Sequence, residues 1–320
     1  LNDKIGDENL TSVKYFILMG FTNDRRTQIL LFVVIFIIYS LTIMGNLVII
    51  MLVWADSSLH TPMYFFLTNL SGLEICYICY VTSTLPQMLF NLLTRNGAIS
   101  LTCCALQMHL VLTLGGTECV LLGAMAYDRY LAICHPLLYA ILMGRWRQLQ
   151  LASVSWLVGI LLATINVGCT FSHLFCGPNR VNHFICELPV VLKLACANTH
   201  ITEFVVFMTA AIILLGPLSV ILTSYGFILS TVLKMQSSSG RQKAFSTCTS
   251  HLMVVTVFYG TVITMYMRPG LGTASDFDKK IAVFYILVSP LLNPIIYTLR
   301  NKDVHRAAAK VLQRWGLKHK

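Results

Sequence analysis

The sequence predicts an all-α membrane protein, a bundle of seven transmembrane helices followed by a short amphipathic helix. Of its 320 residues, 56% are hydrophobic and only 11% are charged, whereas about 25% is usual in soluble domains. The apolar residues fall into seven runs of at least 19 residues. A helix needs about 20 such residues to cross a membrane, whereas a barrel strand needs about 10 alternating ones. This composition excludes a disordered chain and argues against a soluble domain.

The apolar runs divide the chain into three parts. Residues 1–28 form a polar N-terminal segment, residues 29–299 the bundle, and residues 300–320 a helix and tail. The predicted spans cover about residues 29–54, 62–93, 99–133, 148–172, 203–234, 242–267 and 279–299. Backbone polar groups inside hydrocarbon must be satisfied within the segment itself, so each run is expected to be helical.

The net charge of +10 lies almost wholly on one face of this bundle. The loops after the first, third and fifth spans, together with the tail, carry 13 basic and three acidic residues. Because basic residues are retained on the cytoplasmic side, this face is predicted to be cytoplasmic and the N-terminus extracellular. The charge therefore reports orientation, and no nucleic-acid partner is expected. The triplet Asn9-Leu10-Thr11 predicts an N-glycan on Asn9.

The tail has apolar residues at helical spacing, Val304, Ala308, Val311 and Trp315, with basic residues on another face. This pattern predicts a basic amphipathic helix that lies on anionic membrane lipids of the cytoplasmic leaflet. The alternative is a solvated, partly disordered tail.

Five cysteines lie where the chain is predicted to face the oxidising extracellular side. Cys103 and Cys104 open the third span, and Cys176, Cys186 and Cys196 lie in the long loop after the fourth. Extracellular thiols are usually oxidised, so we expect one bond from the loop to the third span and one within the loop. Spacing alone does not fix which cysteines pair.

The same loop contains donors that would suit a metal ion, namely His183, Cys186 and Glu187. A disulfide at Cys186 would remove its sulfur from that set. We therefore favour the disulfide interpretation over a metal site.

Two carboxylic acids, Glu74 and Glu118, lie within predicted spans. An ionised carboxylate in the bilayer costs several kcal/mol unless it is paired or solvated, so such residues indicate a functional site. Either the two acids together hold a cation such as Na⁺, or one is protonated and hydrogen-bonded to its surroundings.

Two short motifs lie at the inner ends of spans. Asp128-Arg129-Tyr130 ends the third span, and its adjacent opposite charges predict an ion pair that can break. Near the inner end of the seventh span, residues 293–297 read Asn-Pro-Ile-Ile-Tyr. Proline removes one backbone hydrogen bond, so the helix is locally deformable there.

Four long segments occur in order at the corresponding spans: Leu-His-Thr-Pro-Met-Tyr-Phe-Phe-Leu at 59–67, Met-Ala-Tyr-Asp-Arg-Tyr-Leu-Ala-Ile-Cys at 125–134, Lys-Ala-Phe-Ser-Thr-Cys-Thr-Ser-His at 243–251 and Pro-Leu-Leu-Asn-Pro-Ile-Ile-Tyr at 290–297. They resemble the signature segments of odorant receptors of the tetrapod-type class II, within the rhodopsin-like (class A) G protein-coupled receptors. The resemblance extends over essentially the whole chain.

The resemblance implies roles for individual residues. It implies disulfides between Cys104 and Cys186 and between Cys176 and Cys196, and it matches Glu74 and Glu118 to the family's intramembrane sodium-site acids. No other cofactor is implied. The activation switch that it implies comprises Asp128, Arg129, Tyr130, Tyr225, Tyr259, Asn293, Pro294 and Tyr297.

The predicted ligand is a small neutral volatile molecule. The outer half of the third span has no acid for an amine, and the seventh span has no lysine for retinal. Apolar walls with a few hydroxyls instead suit a neutral odorant. The predicted lining is Met108, Val111, Leu112, Gly115, Gly116, Val206, Thr209, Ala210, Ile213, Tyr259, Val262, Ile263, Tyr266, Val283 and Ile286.

The resemblance further implies a receptor that activates the stimulatory olfactory G protein and raises cAMP, in the plasma membrane of olfactory neuron cilia. A transporter or channel would show inverted repeats or polar residues along a through-path, and an intramembrane enzyme would show a catalytic constellation within the spans. The sequence shows none of these patterns, so we expect a receptor that is not an enzyme.

Overall fold

The computed structural model describes residues 13–20, 24–94, 97–176, 179–267, 276–299, 302–314 and 316. Asn9 and Trp315, which carry two of the predictions above, lie outside these residues. The elements in chain order are β1 (Tyr15–Leu18), α1 (Arg25–Ala55), a 3₁₀ turn (Ser57–Leu59), α2 (Pro62–Thr94), β2 (Ala98–Ser100), α3 (Leu101–Cys134), α4 (Pro136–Leu142), α5 (Arg145–Phe171), β3 (Arg180–Val181), α6 (Leu188–Leu192), α7 (His200–Lys234), α8 (Ser238–Tyr266), α9 (Asp276–Val283), a π-helical turn (Phe284–Val288), α10 (Ser289–Leu299) and α11 (Lys302–Arg314).

Each of the seven predicted spans corresponds to a long helix. Within the described residues, six helices are long and apolar enough to cross a membrane: α1, α3, α5, α7, the last 19 residues of α8, and the continuous helical stretch 279–298, which runs from α9 through the π-helical turn into α10. The 33-residue α2, which carries Glu74, completes the bundle. Large apolar side chains such as Leu157 and Leu222, both 64% exposed, point outward from it. An outer surface of this kind is typical of contact with lipid.

Polar capping residues set where several helices begin. The side chain of Asp24 accepts a hydrogen bond from the backbone N–H of Thr27 at 2.9 Å, and that of Ser100 accepts one from Cys103 at 3.1 Å. Such caps satisfy backbone donors that the first helical turn leaves free. This explains why α1 begins at Arg25, four residues before the apolar run that predicts it.

The helix α3 lies at the centre of the bundle. Two-thirds (67%) of its most apolar stretch is buried, whereas only 22% of that of α1 and 28% of those of α5 and α7 are buried. Leu121, Leu122 and Ala126 on α3 have no exposed surface. The other helices therefore take their positions from their contacts with α3.

The contact between α3 and α5 depends on Gly159. A Cβ atom at this position would lie 2.6 Å from the carbonyl oxygen of Thr113 and 2.9 Å from the backbone nitrogen of Thr117. The two backbones therefore approach closely, as small residues allow in membrane proteins.

A three-stranded sheet covers the end of the bundle that we predict to be extracellular. The central strand β1 pairs with β2 in antiparallel and with β3 in parallel orientation. Phe16 on β1 is completely buried, and its ring meets that of Phe175 edge to face at 5.3 Å. The prediction of a merely polar N-terminal segment was therefore incomplete, because part of it is a strand with a buried aromatic residue.

The terminal helix α11 is present as predicted, and its apolar face packs on the bundle. Val304 and Ala307 are buried, and Ala308 and Val311 are half-buried against the main core. At the other edge, Lys310 Nζ lies 3.3 Å from Asp56 Oδ2. Hydrogen bonds from Ser58 and the nearby Lys310 hold the pKa of Asp56 below its usual value. The helix is thus held by protein contacts, as well as by any contact with lipid.

We predict that Gly159→Ala destabilises the protein by about 1–3 kcal/mol, because the new methyl group would collide with the backbone of α3. Thermal unfolding of the detergent-purified protein measures this. Gly168→Ala in the same helix is the control, since a Cβ there meets nothing within 4 Å. Equal melting temperatures for the two variants would contradict the prediction.

Candidate functional site

A cavity lies between α3, α5, α7 and α8, and the intramembrane acid Glu118 is among the residues that line it. Its volume is about 80 Å³. A single water needs about 10–15 Å³ on the same measure, so the cavity has room for on the order of five to eight water-sized groups. This is the size of a small organic molecule.

Most of the predicted ligand-binding residues line this cavity. Ten of the 15 do so: Val111, Leu112, Gly115, Gly116, Val206, Thr209, Ala210, Ile213, Val262 and Tyr266. The lining is therefore largely apolar, with a hydroxyl at Thr209 and another at Tyr266.

The other five predicted residues do not line the cavity. Met108 is buried instead in a second core cluster with Cys104 and Cys186, beneath the sheet. Tyr259, 3% exposed, donates a hydrogen bond to the carbonyl oxygen of Cys119 at 3.0 Å, below the cavity. Ile263, Val283 and Ile286 pack in the main core. Hydropathy identifies the right part of each helix, but only helix rotation decides which side chains face the cavity.

One wall of the cavity consists of residues that were not predicted from the sequence. The helix α5 contributes Gly159, Leu162, Ala163 and Asn166. The signal for this wall was the pair Gly159 and Ala163, small residues four positions apart on one helix face. The further lining residues that we did not predict are Tyr77, Glu118, Cys119, Leu188, Leu214, Phe258 and Tyr285.

A buried polar pair joins α5 to α7 at the cavity wall. The hydroxyl of Thr209 donates to Asn166 Oδ1 at 3.0 Å, and Asn166 Nδ2 donates to the carbonyl oxygen of Leu162 at 2.8 Å. Both side chains are less than 9% exposed. The pair satisfies two polar groups that would otherwise be costly in an apolar wall.

A buried carboxylate lies behind the tyrosines of the cavity. The hydroxyl of Tyr266 donates to Glu187 Oε1 at 2.5 Å, and that of Tyr285 donates to Oε2 at 2.7 Å. Glu187 is 1% exposed. Tyr285 lies on the π-helical turn between α9 and α10. From the sequence, Glu187 was expected only as a possible metal donor, and its place beside the cavity was not predicted.

The two disulfides have the pairing that the resemblance implies. Cys104 on α3 is bonded to Cys186, and Cys176 to Cys196. Cys103 carries a free thiol. Because Cys186 is in a disulfide, its sulfur does not join His183 and Glu187 as a donor. The described part of the chain contains no group of three His, Cys, Asp or Glu side chains placed to hold a metal.

The two intramembrane acids meet in one polar cluster. Asn293 Nδ2 donates to Glu74 Oε1 and, at 3.4 Å, to Glu118 Oε1. Glu74 is completely buried and Glu118 is 4% exposed. Like charges this close cannot both stay ionised without compensation, so a proton or a cation must balance them.

Further oxygens lie near these acids. Ser71 precedes Glu74 by almost one helical turn, and Ser289 precedes Asn293 by one turn, so each lies on the same face as its partner. Both hydroxyls are buried and have no hydrogen-bond partner among the described residues. The same is true of Glu74 Oε2. Carboxylate and hydroxyl oxygens of this kind suit a hard cation such as Na⁺.

The predicted ion pair between Asp128 and Arg129 is not formed among the described residues. Asp128 Oδ1 instead accepts a hydrogen bond from the hydroxyl of Tyr139 on α4, at 2.9 Å. Arg129 is 5% exposed, and its Nε and Nη1 have no hydrogen-bond partner in the described part of the chain. The short helix α4, which the sequence analysis did not predict, brings Tyr139 next to Asp128.

The remaining predicted switch residues lie in the half of the bundle that we predict to be cytoplasmic. The hydroxyl of Tyr130 lies 2.9 Å from His135 Nε2, and that of Tyr225 lies 2.8 Å from His251 Nδ1. Tyr297 is buried, and its hydroxyl has no hydrogen-bond partner among the residues described. Pro294 lies inside α10, and its Cβ is 3.0 Å from the position of a Cβ at Gly45.

Comparison with known proteins gives one consistent result. A family model described as olfactory receptor matches residues 33–314. The chain is 47% identical to olfactory receptor 5T17 of Mus musculus, over 96% of this chain and 94% of that protein. It is 48% identical to olfactory receptor 5T3 of Homo sapiens, over 96% and 89% of the two chains. It is 46% identical to olfactory receptor 10A3 of Homo sapiens, over 98% of each.

We predict that Cys104→Ser destabilises the protein strongly, whereas Cys103→Ser does not. In the loop-closure model, losing a bond that spans 82 residues costs about 4.5 kcal/mol, compared with about 3.3 kcal/mol for the bond that spans 20. Thermal unfolding and surface expression measure the effect. A stable Cys104→Ser variant beside an unstable Cys103→Ser variant would show that the neighbouring cysteine forms the bond.

Proposed function

The chain belongs to the olfactory receptor family, whose members are multi-pass G protein-coupled odorant receptors and not enzymes, and we propose that it detects a small neutral volatile odorant. The observation that carries this proposal is the cavity of about 80 Å³ with its mainly apolar walls. The odorant would bind there and favour the active arrangement of the bundle by its higher affinity for that state. The receptor would then activate the stimulatory olfactory G protein and raise cAMP.

Ligand binding would be transmitted to the cytoplasmic side through Phe258 and Tyr259. Phe258 on α8 lines the cavity, and the next residue, Tyr259, is hydrogen-bonded to α3. A ligand that pushes on Phe258 would strain the bond from Tyr259 to Cys119. Loss of that bond would let α8 move away from α3 and open space near Arg129.

The opening that we propose would expose a basic rim to the G protein. Lys234 and Arg241, on either side of the loop between α7 and α8, are exposed, as are Arg145 and Arg147 at the start of α5. Arg129 would then leave its buried position. The Tyr139 hydrogen bond to Asp128 would hold α4 against α3 while this happens.

We propose that the polar cluster at Glu74 and Glu118 holds Na⁺. The fit rests on the two carboxyl groups together with the hydroxyls of Ser71 and Ser289, which have no hydrogen-bond partner among the described residues. Asn293 would keep its contact with Glu74. The alternative is a proton shared by the two acids.

Membrane orientation and location belong to the same proposal. The basic face would be cytoplasmic and in contact with anionic lipids, and the sheet would lie outside. Asn9 would then be exposed to glycosylation enzymes. Olfactory sensory cilia are the expected location.

We predict that odorants raise cAMP in cells that display this receptor and that Arg129→Ala abolishes the response at equal surface expression. Screening of a panel of neutral volatiles with a cAMP reporter tests this. Arg180→Ala is a matched control, because Arg180 is exposed on β3, at the end of the bundle opposite the basic rim. We would abandon the proposal if no odorant gave a signal and Arg129→Ala behaved like the wild type.

We predict that Gly115→Val raises the EC50 of active odorants about tenfold or more, which corresponds to about 1.4 kcal/mol. A Cβ at Gly115 meets nothing within 4 Å, so the larger side chain would occupy cavity space without displacing a helix. Dose–response curves of cAMP measure the shift. Gly168→Val controls for the loss of glycine in a helix, since Gly168 is exposed and does not line the cavity. Equal shifts in the two variants would place the ligand elsewhere.

A further inference from the structure

We infer that this cavity prefers ligands that carry a hydroxyl group, alcohols and phenols, over carbonyl compounds of the same size, because Glu187 fixes the direction of the tyrosine hydroxyls. The inference rests on the proposed function of the cavity as the odorant site, and it adds the chemical class of the odorant. It assigns Glu187 the role of a positioning residue, since it acts through Tyr266 and Tyr285.

The hydroxyl protons of two cavity tyrosines are already used in hydrogen bonds within the protein. A phenol has one proton to donate, and its oxygen can also accept. Tyr266 and Tyr285 donate to the two different oxygens of Glu187. Both tyrosines line the cavity, whereas Glu187 does not. Toward a ligand, the two phenols therefore offer oxygen lone pairs and no proton.

A third tyrosine supplies the complementary group. Tyr77 on α2 lines the same cavity, and its hydroxyl makes no hydrogen bond to the described residues. It can therefore donate to a ligand. An alcohol can donate to Tyr266 or Tyr285 and accept from Tyr77. A ketone, an aldehyde or an ester can accept from Tyr77 but has no proton to donate to the oxygen of Tyr266 or Tyr285.

The polar pair on the opposite wall does not reverse this preference. The hydroxyl of Thr209 donates to Asn166 or to backbone carbonyls of its own helix, so its proton is also committed. Asn166 uses one N–H for the carbonyl of Leu162 and keeps one for a ligand. A carbonyl compound can use that N–H, but the lone pairs of Tyr266 and Tyr285 then remain unpaired. Unpaired buried polar groups reduce affinity.

The variant Glu187→Gln tests the effect of Glu187 on the direction of the phenol hydroxyls. A glutamine has the shape of glutamate, but one of its two terminal groups is an amide NH₂ that can only donate. The phenol that faces this NH₂ must accept from it, which frees the phenol's own proton to point into the cavity. The cavity would then gain a donor and become better suited to carbonyl compounds.

The experiment compares straight-chain alcohols with the aldehydes and methyl ketones of equal carbon number in the cAMP assay. For the wild type, we expect EC50 values for alcohols that are at least about tenfold lower than those for the matched carbonyl compounds. In Glu187→Gln, the ratio should fall toward one or invert at equal surface expression. Tyr15→Phe is the control, since Tyr15 is half-exposed on β1, outside the cavity.

If Glu187→Gln fails to reach the surface, Tyr266→Phe and Tyr285→Phe give the same test. Each removes one phenol oxygen, so each should weaken alcohols more than carbonyl compounds. Equal potency of the two classes in the wild type, or a ratio that no variant changes, would overturn the inference while leaving odorant detection intact. Silence toward both classes from surface-expressed receptor would overturn the proposed function and this inference together.

Discussion

The close contact of α3 with α5 at Gly159 is the constraint on which the remaining features depend. It fixes α3 in the centre of the bundle, where four functional elements lie along one helix. From the sheet-covered end these are the disulfide at Cys104, the cavity wall around Gly115, the acid Glu118 and the Asp128-Arg129-Tyr130 motif. Because α3 is nearly surrounded by other helices, a displacement of any neighbour changes the environment of at least one of these elements.

A second constraint is the cost of polar groups in an apolar interior. Hydrogen bonds between a few buried side chains reduce this cost, such as those of Thr209 with Asn166 and of two tyrosines with Glu187. Some groups keep no partner among the described residues, among them Arg129 Nε and Glu74 Oε2. Unsatisfied buried groups are expensive, and they mark positions where a bound ion or another conformation can lower the free energy. Glu74 Oε2 lies at the proposed Na⁺ site, and Arg129 Nε lies at the proposed switch.

Hydropathy and charge were sufficient to predict the seven long helices, because a span of about 20 apolar residues has few alternative structures. The choice between Cys103 and Cys104 was not available from spacing. Adjacent residues on a helix point in directions about 100° apart, and only the packing of α3 shows that Cys104 faces the loop. The family resemblance implied that pairing, and the structure has the same bond.

The site was predictable only in part. Ten of the 15 predicted residues line the cavity, but the wall from α5 was missed because it depends on how two helices cross. The contact of Tyr139 with Asp128 was missed because a seven-residue helix has too little periodicity to be recognised. Likewise, β1 has only four residues, and its partners lie about 80 and 165 positions away.

The position of β1 also affects how fast a ligand can leave. The strand is hydrogen-bonded on both sides and buries Phe16 against the loop that carries the disulfides. For a molecule that departs between these strands, the strands have to separate, which is a local unfolding event with its own free-energy cost. The residence time on that route is then limited by the opening of the sheet as well as by contacts in the cavity. Two odorants of equal affinity would thus share much of their dissociation barrier, and the duration of the signal would be a property of the receptor as well as of the odorant.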